Sequence, residues 1–263
     1  MSRRTLLGVW AHPDDEAYMS AGLMAEFRRR SDRVVIITAT LGEHGTNDPK
    51  AWPPSRLAAR RHAELRNSLA TLDIDELRVL GYEDGDCQRH DGTNSIASHI
   101  SEIRPDLIVT FGPDGMTGHP DHRAISRWTT DARAATRPAA DLWYATVTPG
   151  FHQEWGAVNE QIGFWADQPN PPCSEVADLA QSTTLDDDLL DLKVAALRAH
   201  VSQTRHSSSS WATACIESGG EPSRFGVSIH RRVTTHRASS ARRCRQDENQ
   251  WRFGTTGIDR WMH

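Results

Sequence analysis

Short apolar runs alternate with longer amphipathic stretches through the first two-thirds of the chain, and this alternation leaves few folds open. Leu6 to Trp10, Arg33 to Thr40, Leu77 to Tyr82 and Leu107 to Phe111 have the β-branched and leucine content of strands. Between them, Ala21 to Arg30, Ser55 to Leu72 and Ser95 to Arg104 read as helices. In the second of these the apolar positions are Leu57, Ala58, Leu65, Leu69 and Leu72, with Pro53-Pro54 just before it. Strands joined through helices run parallel, because the crossover returns the chain to the same end of the sheet. Val34-Val35-Ile36-Ile37 is uninterrupted by charge, as a strand covered on both faces requires. The predicted fold is therefore α/β: a Rossmann-like, mainly parallel sheet with helices on both faces. Trp143 to Val147 reads as a further strand and Thr184 to His200 as a further helix.

In such a sheet ligands bind beyond the carboxyl ends of the strands. The polar segments of this chain lie there: Ala11 to Glu16, Gly42 to Gly45, Glu83 to Asp86 and Gly112 to His122. Four loops, each from a different strand, are expected to converge on one crevice at the C-terminal strand ends.

Ala11-His12-Pro13-Asp14-Asp15-Glu16 puts one imidazole and three carboxylates into five residues. Such a loop would repel itself and desolvate badly unless a divalent cation offset the charge. His12 and Asp15 can ligate one ion together, leaving Asp14 free to accept a proton from water. The alternative is structural: a His-Pro-Asp turn followed by Asp15 as a helix cap. The second segment, Gly118-His119-Pro120-Asp121-His122, argues against that alternative. Its proline suits the first position of a helix, which sets His119 and His122 on one side of the first turn. Together the loops offer two histidines and a carboxylate, with one position open for water, a set that suits catalytic zinc and also Fe2+. The spare aspartate and spare histidine favour hydrolysis.

On these two motifs the sequence resembles the PIG-L/LmbE-like family of zinc N-deacetylases, over Thr5 to about Gln203. The resemblance implies that His12 and Asp15 bind zinc from the first loop and His122 from the second. It makes Asp14 the general base and gives His119 the oxyanion or the leaving amine, with Asp121 tuning His119 by a hydrogen bond. It also implies that Arg61 and Asp84 contact sugar hydroxyls, and that His200, after a helix carrying Lys193, belongs to the substrate region. His200 also reads as a helix-terminal histidine favoured by the dipole. Within the family the likeness points to deacetylases of glycopeptide antibiotic pseudoaglycones of the teicoplanin type. An N-acetylglucosaminyl-inositol thiol precursor is the alternative substrate.

Other classes are less well supported. No G-x-G-x-x-G follows the first strand, which argues against a dinucleotide-dependent oxidoreductase, and no G-x-S-x-G elbow supports a serine hydrolase. A catalytically idle metal- or sugar-binding module would need neither Asp14 nor His119. A net charge of −5 gives no reason to expect nucleic acid as a partner. The first apolar run ends at His12-Pro13, too short for a secretory signal, and no stretch approaches a bilayer span. With four cysteines and no C-x-x-C spacing, the expected setting is the cytoplasm and the expected partner a small amino-sugar conjugate. The oligomeric state has no signature in the sequence. Trp143, Phe151, Trp155, Phe164 and Trp165 are candidates for a cleft wall as well as for core. The deacetylase domain is expected over 1–216. An arginine-rich extension, weak in periodicity, is expected over 217–263.

Overall fold

The computed structural model describes residues 3–136, 140–161, 172–182, 185–204, 228–231 and 242–243. Strands β1 (Thr5–Trp10), β2 (Arg33–Thr38), β3 (Glu76–Val79), β4 (Leu107–Phe111) and β5 (Asp141–Thr146) pair in parallel in the order 3-2-1-4-5. This is the order of a doubly wound sheet, with the switch point between β1 and β4. The crossovers are α1 (Asp15–Arg29), α2 (Pro54–Thr71), α3 (Thr93–Ile103) and α4 (Pro120–Thr136). Helix α5 (Pro149–Gln161) follows β5, and β6 (Pro172–Cys173) and β7 (Leu179–Gln181) lead to α6 (Asp187–Ala199) and α7 (Val201–Thr204). Strand β8 (Ser228–Arg231) pairs antiparallel with both β5 and β7, completing a seven-stranded sheet, and β9 (Arg242–Arg243) pairs with β6. Four residues of the arginine-rich stretch thus join the main sheet.

Both faces of the sheet are covered, which explains the charge-free strands. Leu6, Leu7, Val35, Ile36, Leu107, Ile108 and Val109 are fully buried. Helices α1 and α2 both pack against α6, while α3 packs against α4 as a separate pair. Apolar surface on each helix therefore goes to the sheet or to a neighbouring helix. Of the aromatics considered for a cleft wall, Trp155 lies in the core, and Phe151 and Trp143 pack against it. Phe164 and Trp165 lie outside the described residues. No helix among the described residues is long and apolar enough to cross a membrane.

The start of α1 differs from expectation. The spacing predicts a helix from Ala21, yet α1 begins at Asp15, inside the His-Pro-Asp-Asp-Glu motif. Asp14 supplies the carbonyl that accepts from Ala17 and Tyr18, so the charged motif itself forms the helix start. Acidic residues are favoured there by the helix dipole, which the apolar periodicity cannot register.

Helix α4 carries the second motif, and its placement depends on Trp128, which is fully buried against the N-terminus of α3. A Cβ on Gly92 would sit 2.5 Å from the Trp128 ring. A rigid ring cannot give way cheaply, so Gly92→Ala is expected to destabilise the chain by about 1–3 kcal/mol. Urea unfolding of the two proteins checks this, and equal midpoints would contradict the packing described.

Candidate metal centre

Four loops meet at the carboxyl ends of β1 to β4, and the two His-Pro-Asp motifs face each other across them. The rings of His12 and His122 approach until His12 Nδ1 lies 3.2 Å from His122 Nε2. The Asp15 carboxylate stands beside both, 3.3 Å from His122 Nε2 and 3.6 Å from His12 Nδ1. All three side chains are buried.

The other nitrogen of each ring is already committed. His122 Nδ1 donates to the Gly115 carbonyl at 2.9 Å, with the Thr117 hydroxyl at 3.2 Å, and the ring stacks on Phe111. His12 Nε2 faces two carboxylates, Asp84 at 3.0 Å and Asp121 at 3.2 Å. These partners hold protons on His122 Nδ1 and His12 Nε2. The remaining lone pairs point at one another, and only a positive charge can lie between them. A proton satisfies a single bond there; a divalent ion satisfies both nitrogens and Asp15 together. Zinc, at about 2.0–2.1 Å from nitrogen or oxygen, sets tetrahedral ligand atoms about 3.3 Å apart, close to the 3.2 Å between the two nitrogens and the 3.3 Å between His122 Nε2 and Asp15 Oδ1, while His12 Nδ1 lies 3.6 Å from Asp15 Oδ2. The donor set fits a divalent metal.

Electrostatics agree with this reading. Burial opposes a charge on His12, yet Asp121, Asp15 and Asp84 hold its pKa well above the ordinary imidazole range. His122 is pushed down to about 4 by burial, with His12 and His119 adding to the effect. The Asp15 carboxyl is held well below its usual range by His122 and His12, against the opposing effect of burial.

The loop after β4 explains how His122 is aimed. Gly115, at φ +78°, wraps against the first turn of α4, where a Cβ would lie 3.1 Å from the Cβ of His122. Only glycine combines that approach with a positive φ. The glycines of Gly112 to Gly118 therefore shape a ligand-holding loop, in line with their wrong spacing for a dinucleotide site.

Asp14 and His119 lie beside the centre. Asp14 has φ 104°, a left-handed conformation that costs a non-glycine residue on the order of 1–3 kcal/mol. Its carboxyl rises to about 6 because it is buried, with Arg61 pulling the other way. His119 is half-buried, its ring centroid 4.8 Å from that of His12 and 5.1 Å from that of His122. The backbone N–H of Asp121 donates to His119 Nδ1 at 3.2 Å, which leaves the proton of the neutral ring on Nε2. The expected link between Asp121 and His119 thus exists through the backbone. The Asp121 carboxylate instead accepts from His12 and from the backbone N–H groups of Gly85 and Cys87. A side chain on α4 that points across to β1 cannot also reach back to its neighbour in sequence.

The three expected sugar contacts take positions behind or beside the centre, with their polar atoms turned to the protein. Arg61 is buried, donating to the carbonyls of Gly42 at 2.8 Å and Pro13 at 2.6 Å and lying 3.3 Å from Asp14. Asp84 meets His12 and accepts from the His44 N–H at 3.0 Å. His200 is 1% exposed and lies 2.8 Å from Glu16. Glu16 and Ser68 were not singled out from sequence. A glutamate in the first turn of a helix looks like a solvated dipole partner, and only its burial shows otherwise.

Two histidines and a carboxylate in one cluster, with an aspartate and a half-buried imidazole beside it at the mouth of a parallel sheet, are the groups that a metal-dependent hydrolase of the α/β class requires. Comparison with known proteins narrows the class. Residues 7–133 match the family model described as PIG-L, GlcNAc-PI de-N-acetylase. A 1D-myo-inositol 2-acetamido-2-deoxy-α-D-glucopyranoside deacetylase of Mycolicibacterium vanbaalenii is 34% identical over 236 residues, covering 77% of this chain and 82% of the relative. The chain belongs to the PIG-L family of N-deacetylases, enzymes that hydrolyse amides. Among solved structures, the N,N'-diacetylchitobiose deacetylase of Pyrococcus horikoshii superposes with a TM-score of 0.59 at 20% identity, over 87% of this chain and 84% of its own. The zinc-inhibited form of a teicoplanin deacetylase gives 0.62 at 15% identity, over 88% and 100%. At these identities the two structures support the fold.

Asp15→Ala removes one of the three converging donors and is expected to abolish stoichiometric zinc binding. Zinc at a hundredfold excess over its Kd stabilises the wild-type chain by about 2.7 kcal/mol, and the variant should lose that rise in thermal midpoint. Metal analysis with thermal melts, with and without a chelator, checks both, and unchanged zinc affinity in Asp15→Ala would remove the carboxylate from the centre.

Proposed function

We propose that the chain is a zinc-dependent deacetylase that removes the acetyl group from a glucosamine nitrogen on an inositol conjugate. The observation that carries the chemistry is the pairing of an unliganded carboxylate, Asp14, with a donor imidazole, His119, around the His12, Asp15 and His122 cluster. Those three residues would hold a divalent ion, which when bound would supply Lewis acidity toward the acyl carbonyl and a water. Asp14 accepts the proton of the attacking water as the new C–O bond forms. His119, whose proton is on Nε2, donates to the carbonyl oxygen as charge develops there. When the C–N bond breaks, the proton that Asp14 accepted passes to the leaving nitrogen, and acetate and the free amine are released. The low exposure of the cluster strengthens each of these interactions relative to water.

The substrate follows from the relatives. The Mycolicibacterium gilvum protein, 31% identical over 239 residues, and the M. vanbaalenii protein are both named 1D-myo-inositol 2-acetamido-2-deoxy-α-D-glucopyranoside deacetylases. The glycopeptide antibiotic deacetylases, expected as the nearer branch, share 15–16% identity with the chain, a level that reflects the fold. The inositol conjugate is therefore the preferred reading and the pseudoaglycone the second.

Asp14→Asn is expected to lower kcat by about 10²–10⁴-fold, the span a positioned proton acceptor contributes, while zinc content stays at the wild-type level. Acetate release and free-amine formation measured on N-acetylglucosaminyl-inositol, with a glycopeptide pseudoaglycone in parallel, test chemistry and substrate together. Wild-type turnover in Asp14→Asn, or product from the pseudoaglycone alone, would each overturn the corresponding half.

A further inference from the structure

The peptide unit between Pro13 and Asp14 is gripped at both ends. Its carbonyl oxygen accepts from Arg61 Nη2 at 2.6 Å, and its N–H donates to Glu16 Oε2 at 2.9 Å. The orientation of that peptide plane sets φ of Asp14, which stands at 104°. Glu16 itself is 1% exposed. A carboxylate so deeply buried is costly unless its oxygens are satisfied. Its second oxygen accepts from Ser68 Oγ on α2 at 2.9 Å and meets His200 Nε2 at 2.8 Å. One carboxylate therefore ties the catalytic loop to α2 and to the end of α6, a residue 184 positions away. Arg61 also reaches the second loop, donating to the Gly42 carbonyl at 2.8 Å.

We infer that Glu16 and Arg61 clamp the Pro13–Asp14 peptide in its left-handed setting, and that His200 and Ser68 fix Glu16, so that these buried groups aim the Asp14 carboxylate. The inference rests on Asp14 acting as the base. Glu16 and His200 are positioning residues: both are fully covered by protein, and neither can touch a sugar. The arrangement gives a reason for a charge that the core would otherwise exclude. It gives Arg61 and His200, expected near the substrate, a part in holding the base. Conformational support of this kind acts on kcat, because a small error in the aim of a reacting group is felt in the transition state while ground-state binding is unaffected.

The test compares Glu16→Gln and His200→Gln with the wild-type chain, alone and in the Asp14→Asn background. Glu16→Gln is expected to lower kcat on N-acetylglucosaminyl-inositol by about 10- to 100-fold, with KM and zinc content within about twofold of wild type, and His200→Gln to lower it less. In the Asp14→Asn background neither substitution should lower kcat further, since there is no base left to aim. The crystal structure of Glu16→Gln should show Asp14 turned away from its positive φ. Unchanged kcat in both variants, additive losses in the double variants, or a loss of rate that tracks loss of zinc would overturn the inference. A wild-type chain inactive on every amide would instead remove the functional reading, and the Asp14 backbone in the Glu16→Gln structure would still decide the clamp. Should Glu16→Gln not fold, His200→Gln, which leaves the carboxylate in place, decides on the same measurements.

Discussion

Two imidazole nitrogens turned toward each other, 3.2 Å apart and in buried side chains, are the constraint around which this site is organised. They can face each other only across a shared cation, either a proton or a metal ion. The arrangement persists because each ring is held from behind, His122 by the Gly115 carbonyl and Phe111, His12 by Asp84 and Asp121. Asp15 then completes a negative cup around the gap. Burial makes this concentration of charge expensive for an empty loop cluster and favourable for a bound cation. The same burial that would destabilise the isolated groups therefore selects the ligand.

The fold contributes position. In a parallel sheet the carboxyl ends of neighbouring strands lie at one edge, so the loops after β1 and β4, which pair directly, are brought side by side. Each loop runs straight into a helix, which places Asp15 and Asp121 in first turns, where the dipole favours carboxylates. The loops after β2 and β3 close the other side: Gly42 receives Arg61, and Asp84 stands over His12. Helix α6 packs on both α1 and α2, so His200, just after it, meets Glu16 behind the cluster.

Outside the ion cup, the residues sort by what they can reach. His119 alone among the named side chains combines partial exposure with a donor nitrogen whose tautomer is set by the backbone. Asp14 is close to the centre, yet its mate on the guanidinium side is Arg61 and its backbone partner is Glu16. Arg61, Glu16, Ser68 and His200 form a layer of buried polar groups behind the reacting ones, and such layers are what keep a catalytic group within tenths of an ångström of its task.

Much of this was legible in the chain itself. Period and apolarity located the five parallel strands, because strands buried on both faces have little freedom in composition, and the two His-Pro-Asp motifs pointed to side chains that the fold does bring together in one cluster able to hold a metal. The start of α1 was misplaced, since the charged residues that begin it carry no apolar period. The roles of Asp121, Asp84, Arg61 and His200 were assigned by motif toward a sugar or a neighbour, and the partners of Glu16 and Ser68 had no local signal at all. Sequence by itself determined which chemical groups are present and at which strand ends they sit, because those depend on residue type and local period. Which ring nitrogens face each other, which carboxylate meets Arg61, and which buried charge joins the catalytic-motif loop to α2 and α6 were decided by tertiary structure, because each depends on side chains brought together from positions 47 to 184 residues apart.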